Sequence, residues 1–320
     1  MDQNSARTDI TVNVEGLWLL QALLDIRHVA PELRCRPFVS ITENNDWLKE
    51  HPGLAIMREQ GIVVDDTVNE EVADRLKVLA VPDIEVVALL SHGKLRYGVS
   101  QEAIEQYEAS ERDGEQAQQP VEGESVGSRD IPDNEFRVVL ARRDEHWVSA
   151  VRVGTDITID DVSVTDAASI AALVTAALES INHADPAAIT AVNVPLEEML
   201  SATKTWQTSG FNVFSSGDLR RMGLTAATIA ALGQALSEPA AEAAVYARQY
   251  RDDARESSAS VLSLKDSSAG RIAMYQQART VGSGQKWLAI CPATPQLVQV
   301  GVQTVLDTVP FGAWRTHRRV

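Results

Sequence analysis

The chain has 320 residues, of which 44% are hydrophobic and 23% charged, and its formal net charge is −16 at pH 7. This composition is typical of a soluble globular protein that is large enough to bury a substantial core. The acidic balance argues against nucleic acid as a partner, because phosphate binding needs concentrated Lys and Arg.

The apolar runs fall short of the roughly 18 residues that a membrane span needs, so we expect no membrane insertion. The first residues lack a basic region followed by an apolar stretch, which predicts that no secretory signal is present. Cys35 and Cys291 are the only cysteines. Two thiols this far apart fit a reducing, cytoplasmic environment in which they serve as small buried apolar groups, and a long-range disulfide is the alternative.

Two similar phrases stand 157 positions apart in the sequence. "LAVPDIEVVAL" begins at Leu79 and "LSEPAAEAAVY" at Leu236, and each is typical of a helix end, a proline stop and an apolar strand. Before each phrase, a short basic helix ends at a glycine, Gly61 or Gly223, and an amphipathic helix opened by an Asp or Thr cap follows. The phrases therefore belong to a longer repeat.

Each phrase leads into segments that alternate apolar and polar residues, such as "FRVVLARR" and "SASVLSLKD", which suits antiparallel strands with one buried face. Both copies then close with an amphipathic helix, capped by Asp166 in the first and Thr294 in the second. The sequence thus predicts an α+β fold of two quasi-symmetric halves. Each half is a mainly antiparallel sheet flanked by helices, and together they form one continuous molecule about a pseudo-twofold axis. We place the halves at residues 1–164 and 165–320.

An acidic segment interrupts the first copy. Residues 101–135 hold eleven Asp or Glu against two Arg and are rich in Gln, Gly, Ser and Pro. Such a composition cannot bury enough apolar surface to offset chain entropy, so we predict a mobile acidic loop at about residues 101–132. A solvated spacer and a contact to a partner are both compatible with it.

No motif of a common enzyme class is present. The chain lacks a Walker loop, a GxSxG elbow, a GxGxxG turn after a strand and an HExxH helix, and its six histidines lack metal-ligand spacing. We therefore predict no catalytic site, no metal and no cofactor. A hydrolase with an unrecognised site stays a minor hypothesis.

One stretch is typical of an interface. "TKTWQTSGFNVFSSGDLRRMG" (Thr203–Gly223) places aromatic and apolar residues among Ser, Thr, Gly and Asn, as at protein–protein contacts. The same pattern fits a loop that packs into its own core. The helix that follows is unusually rich in Ala and Gly, which lets a neighbouring helix of the partner, or the chain's own sheet, approach closely.

Taken over almost its whole length, the chain resembles the EspG family of type VII (ESX) secretion chaperones, and most closely the branch that serves the fifth ESX system. The stretches that carry the resemblance include "DITVNVEGLWLLQALLDIRHVAPELRCRPFVS", "RDIPDNEFRVVLARRDEHWVSAVRVG" and "SGFNVFSSGDLRRMGLTAATIAALGQALSEPAAEAAVYARQYRDDA". The resemblance implies a fold of two quasi-symmetric halves, no catalysis and a cytoplasmic location. It also implies that the partner is a PE–PPE heterodimer, which the chaperone binds at the apolar tip of the PPE subunit. The chaperone would keep this heterodimer soluble and direct it to one secretion system.

For such a role we predict a groove between the central sheet and the helices of the second half. The predicted apolar floor consists of Phe211, Val213, Phe214, Leu232 and Leu236. The predicted polar rim consists of Asp160, Gln234 and Arg255. The alternatives are a helix-surface amide for Gln234 and a solvated hairpin charge for Arg255. The alternative function is a non-catalytic scaffold or adaptor of the secretion machinery that dimerises through its sheet edges, whereas the chaperone is expected to self-associate weakly at most.

Overall fold

The computed structural model describes residues 9–38, 48, 50–95, 131–209, 213–252, 254–277 and 284–319, with only the backbone at 204–209 and 213–216. Nearly all of the predicted acidic loop lies outside these ranges. No helix in the described ranges is long and apolar enough to cross a membrane.

The described ranges contain helices and strands in two similar series. The helices are α1 (Val14–Leu23), α2 (Pro52–Glu59), α3 (Glu70–Ala80), α4 (Ala167–Ile181), α5 (Leu196–Ser209), α6 (Val213–Arg221), α7 (Ala226–Ser237) and α8 (Pro295–Asp307). The strands are β1 (Ile10–Asn13), β2 (Val63–Val64), β3 (Thr67–Val68), β4 (Ile84–His92), β5 (Glu135–Arg143), β6 (His146–Val153), β7 (Asp156–Asp161), β8 (Val192–Pro195), β9 (Ala241–Arg251), β10 (Ala254–Ser257), β11 (Leu262–Ser267), β12 (Gly270–Gln276) and β13 (Trp287–Pro292).

One antiparallel sheet runs through the whole molecule in the order β1-β7-β6-β5-β4-β9-β11-β12-β13-β8, and β10 adds to β9 beside β11. In this order, the first five strands belong to the first half and the last five to the second half. The halves meet where β4 pairs with β9. Strands β2 and β3 form a separate hairpin. The prediction of an α+β molecule built from two quasi-symmetric halves is confirmed.

The pseudo-twofold axis passes through the β4–β9 pair. The offset of 157 positions that relates Pro82 to Pro239 also relates Ala88 to Val245, and these two residues pair directly with each other. Within the described residues, and apart from the β2–β3 hairpin, β10 and the 3-10 turn, each half has one strand, three helices, four strands and a closing helix in that order. Because α4 closes the first series, we propose a division between α4 and β8 rather than one between residues 164 and 165.

Local signals account for the helix boundaries. Gly61 and Gly223 follow α2 and α6 with φ of +70° and +91°, a conformation that glycine adopts without strain. Thr225, Asp166 and Thr294 cap α7, α4 and α8 with side-chain oxygens that accept from backbone N–H groups. The expected Asp cap of α3 was wrong. Asn69 caps this helix by accepting from the N–H of Glu71.

The sheet separates three hydrophobic cores. Helices α4 and α8 cover the middle of one face and share a core with residues of both halves, among them Ile170, Val302, Val86 and Val245. On the opposite face, α1–α3 cover the first half and α5–α7 cover the second, each with its own core. The centre of this opposite face therefore lies between two separate groups of helices.

Each closing helix is followed by a segment that reaches into the other half. After α4, the carbonyl of Asn182 accepts from Arg271, and its amide donates to Asp266 at 2.9 Å, both in the second half. After α8, the carbonyls of Arg315 and His317 accept from the guanidinium of Arg142 in the first half. The two halves are thus held together by reciprocal crossing segments as well as by the β4–β9 pair.

Candidate functional site

The centre of the sheet face between α1–α3 and α5–α7 is the candidate partner-binding surface, and we call it the central face. Its half-buried residues are Leu89 on β4, Tyr246 on β9, and Ser263 and Lys265 on β11. Register places Leu89 opposite Ala244, and Ala244 opposite Ser263, so these positions form a continuous row across both halves. The row joins small, apolar and polar side chains on one sheet face.

A buried ion-pair network lies beside the central face. Arg248 donates to both oxygens of Glu32, at 2.6 and 3.2 Å, and its Nη1 also lies 3.4 Å from Oε2 of Glu85. The hydroxyl of Tyr246 donates to Glu32 at 2.6 Å, and that of Tyr250 donates to Glu85 at 2.5 Å. Arg248 and the two carboxylates are at most 8% exposed, so two carboxylates share one buried guanidinium.

The two carboxylates respond differently to this environment. Burial raises the pKa of Glu32, but the charge and hydrogen bonds of Arg248, with help from Tyr246, outweigh it and hold the pKa below its ordinary value. Burial raises the pKa of Glu85 to about 7, and the neighbouring Glu32 adds to the rise. The Arg248 charge, the Tyr250 hydrogen bond and the Arg255 charge offset it only in part.

The pseudo-twofold axis relates Glu85 to Glu242, but the two sites differ. Glu242 forms an ion pair with Lys265 of the adjacent strand, and its Oε2 accepts from the backbone N–H of Leu95 at 2.9 Å. Glu85 and Glu242 thus each contact a cationic side chain. Glu85 shares Arg248 with the carboxylate of Glu32, whereas Glu242 is paired with Lys265.

The predicted rim residues are not grouped together. Gln234 is exposed on α7, and its Oε1 accepts from the hydroxyl of Ser268 at 2.9 Å. Arg255 is half-buried on β10, opposite Tyr250. These sites lie near opposite ends of β9, whose eleven residues span about 33 Å at about 3.3 Å per residue. Asp160 is half-buried on β7 and points to the other sheet face, because Ile157 and Ile159 occupy the positions that face α1–α3.

The predicted apolar floor is only partly accessible. Leu232 has no exposed surface and packs in the core between α7 and the sheet, while Leu236 is half-buried at the edge of that core. Val213 and Phe214 begin α6, but the structure describes only their backbone. Phe211 lies outside the described residues. The contribution of these residues to partner binding stays a prediction.

The network residues Glu32, Tyr246, Arg248 and Tyr250 were absent from the predicted site. A signal for three of them was present, because Tyr246, Arg248 and Tyr250 stand at every second position in the second part of β9, which places them on one sheet face. Glu32 gave no such signal, since it comes from the short 3-10 turn Pro31–Leu33, which reaches the network only through tertiary packing.

Within the described ranges, no group of three His, Cys, Asp or Glu residues is arranged to hold a metal ion. Cys35 and Cys291 are free thiols. Burial raises the pKa of Cys291 to about 11 and that of Cys35 to about 12, against a small opposing effect of Arg152 on Cys35. Both thiols are therefore weak nucleophiles.

Comparison with known proteins gives a consistent result. The sequence profile of the EspG family matches residues 13–114 and 115–304. The ESX-5 secretion-associated protein EspG5 of Mycobacterium tuberculosis (strain ATCC 25618 / H37Rv) is 74% identical over 320 residues, which covers all of both chains. EspG5 of Mycobacterium marinum (strain ATCC BAA-535 / M) is likewise 74% identical over the full length of both chains.

A solved structure is similar over almost the whole fold. It is the Mycobacterium tuberculosis type VII secretion system chaperone EspG5 in complex with a PE25–PPE41 dimer. The TM-score is 0.81 at 70% identity, and the match covers 97% of this chain and 100% of the other. With its repeated strand-and-helix series, its central β4–β9 pair and full-length likeness to EspG5, the chain belongs to the EspG family.

Proposed function

We propose that the chain is a cytoplasmic, non-catalytic chaperone of the ESX-5 type VII secretion system that binds PE–PPE heterodimers. The observation that carries the proposal is the full-length likeness, 74% in sequence and 0.81 in TM-score, to EspG5, which was solved with a PE25–PPE41 dimer. Binding covers the apolar tip of the PPE subunit, which removes an aggregation-prone surface and directs the client to its secretion machine.

We place the client on the central face and its borders. Tyr246 and Leu89 offer half-buried aromatic and aliphatic surface, and Gln234, Leu236 and Arg255 lie at the two ends of the same face. Gln234 and Arg255 lie near opposite ends of β9, so a single client that covers the whole face would contact both residues.

Edge-to-edge dimerisation of the sheet, as in the scaffold alternative, has little support. The strands at the two ends of the described sheet, β1 and β8, have four residues each, and β8 ends at Pro195. Short edge strands and a proline without an N–H group both discourage pairing with another sheet.

Two charge substitutions test the placement of the client. We expect Gln234→Arg and Arg255→Glu each to weaken binding of PE25–PPE41 at least about tenfold, which corresponds to about 1.4 kcal/mol. Gln299→Arg is the matched control, because Gln299 is exposed on α8 at the opposite sheet face. Affinity is measured by calorimetric titration and integrity by the melting temperature. Normal binding by both variants, with unchanged melting temperatures, would show that the client lies elsewhere.

A further inference from the structure

The network around Glu85 connects the buried centre of the sheet to the exposed β9–β10 hairpin. Strand β10 pairs with β9 through residues 248–251, and its residues are exposed except for the half-buried Arg255. Arg255 pairs with Tyr250, whose hydroxyl donates to Glu85. The charge of Arg255 acts on Glu85 through this arrangement. Arg255 and Tyr250 thus connect the hairpin surface to a carboxyl group that has only 1% exposed surface.

The geometry identifies Glu85 as the group that exchanges the proton. Arg248 uses two nitrogens to hold Glu32, with a shortest distance of 2.6 Å, and approaches Glu85 only at 3.4 Å. The charged or titratable groups around Glu85 are Glu32 on the 3-10 turn, Tyr246, Arg248 and Tyr250 on β9, and Arg255 on β10. Glu85 has less cationic compensation than Glu32, so its charged form is the less stable of the two.

We propose that client binding on the central face is coupled to the uptake of a proton by Glu85, with Arg255 as the residue that transmits the coupling. This inference rests on the proposed function. A client that covers the hairpin engages Arg255 and excludes water from Tyr246 and Tyr250. Both changes remove stabilisation from the carboxylate of Glu85 and favour its neutral form.

The sign of the effect follows from linkage. If the complex binds more protons than the free chaperone, affinity increases as the pH falls and decreases as it rises. The pKa of Glu85 in the free protein is about 7, so the change falls in the neutral range. One fully coupled proton changes the dissociation constant by about tenfold per pH unit above the free pKa. The chaperone is thus expected to hold its client more tightly at pH 6 than at pH 8.

The experiment is a calorimetric titration of the full chain with PE25–PPE41 at pH 6, 7 and 8. Two buffers of different ionisation enthalpy are used at each pH, so that the heat difference counts the protons taken up. We expect net proton uptake and at least about threefold weaker binding at pH 8 than at pH 6. Glu85→Gln should bind with little pH dependence and without proton uptake. Arg255→Gln should also lose the uptake, because the link to the network is removed.

Glu242→Gln is the matched control, since Glu242 is the pseudo-twofold equivalent of Glu85 but has Lys265 as its own cation. This variant should keep the pH dependence of the wild type. A client that binds equally at all three pH values, or a Glu85→Gln variant that retains the proton uptake, overturns the coupling but leaves the chaperone function intact. Absence of binding at every pH overturns both the function and the coupling.

Melting temperatures of the free proteins provide a readout that needs no client. The folded-state pKa of Glu85 is raised, so its stabilising contribution is present at low pH and is lost as the pH rises through about 7. We expect the difference in melting temperature between wild type and Glu85→Gln to change between pH 5.5 and 8.5, in favour of Glu85→Gln at the high end. A constant difference would contradict a titrating Glu85.

Discussion

The substitution Arg271→Met tests whether the segment after α4 locks the two halves together. The guanidinium of Arg271 donates to both oxygens of Asp266, at 2.6 and 2.9 Å, to the carbonyl of Asn182 at 3.0 Å and to Glu179 of α4 at 2.5 Å. Although burial lowers the pKa of Arg271, its bonds and ion pairs with Asp266 and Glu179 raise it overall. Arg271 therefore joins a β-hairpin of the second half to the closing helix of the first.

The expected loss follows from the burial of the pair. The side chain of Arg271 is 3% exposed and that of Asp266 is 0% exposed, so methionine in place of arginine leaves a buried carboxylate without its cation. Removal of one partner from such a pair costs about 3–5 kcal/mol. The second substitution Asp266→Asn removes the uncompensated charge, and we expect the double variant to recover about half of the loss or more.

The assay is urea unfolding at pH 7.5, followed by circular dichroism, with Arg220→Met on the exposed surface of α6 as the control. The control should change the free energy of unfolding by less than about 0.5 kcal/mol. A loss below about 1 kcal/mol in Arg271→Met, or no recovery when Asp266→Asn is added, would refute the reasoning that Arg271 compensates the buried charge of Asp266 at the junction of the halves.

Two further outcomes are expected in the same protein. Gly270→Ala should lower the free energy of unfolding by more than about 2 kcal/mol, because Gly270 has a φ of +98° and an added Cβ would lie 2.7 Å from the carbonyl oxygen of Asp185. The control is Gly284→Ala, whose added Cβ meets nothing within 4 Å. Equal melting temperatures of the two variants would contradict the expected clash at Gly270. In the folded protein at pH 8, Cys291 should react with a thiol reagent about a hundredfold more slowly than in the urea-unfolded protein, because burial raises its pKa from 9.0 to about 11. Equal rates in the two states would contradict the raised pKa.

The repeat could be predicted from the sequence because its signals are local. A proline stop, a glycine after a short helix and a capping side chain each act within a few residues, and Gly61, Gly223, Asp166 and Thr294 all have the predicted roles. In the structure, the same offset of 157 positions relates Ala88 to Val245, which pair at the pseudo-twofold axis.

The joining of the halves could not be predicted in the same way. The pairing of β4 with β9 and the crossing segments after α4 and α8 connect residues more than 80 positions apart, such as Asn182 with Asp266 and Arg142 with Arg315. Such contacts depend on tertiary packing, which the local pattern does not specify.

The candidate site was predicted less well than the fold, for two physical reasons. The choice of Leu232 rested on its apolar character, but an amphipathic helix buries its apolar stripe against its own sheet, and Leu232 is fully buried. The choice of Asp160 ignored strand alternation, which sends it to the face opposite Ile159. Gln234 is exposed and Arg255 is half-buried, in line with the predicted surface positions, but the two residues lie near opposite ends of β9.

The central claim, that this chain is a chaperone of PE–PPE heterodimers, is tested most directly by calorimetric titration of the purified wild-type chain. The titrants are PE25–PPE41 and, as a control, a PE–PPE heterodimer from a different ESX system. The account predicts saturable one-to-one binding to PE25–PPE41 and much weaker binding to the control. Absence of binding to PE25–PPE41, by a chain that melts cooperatively, would contradict it.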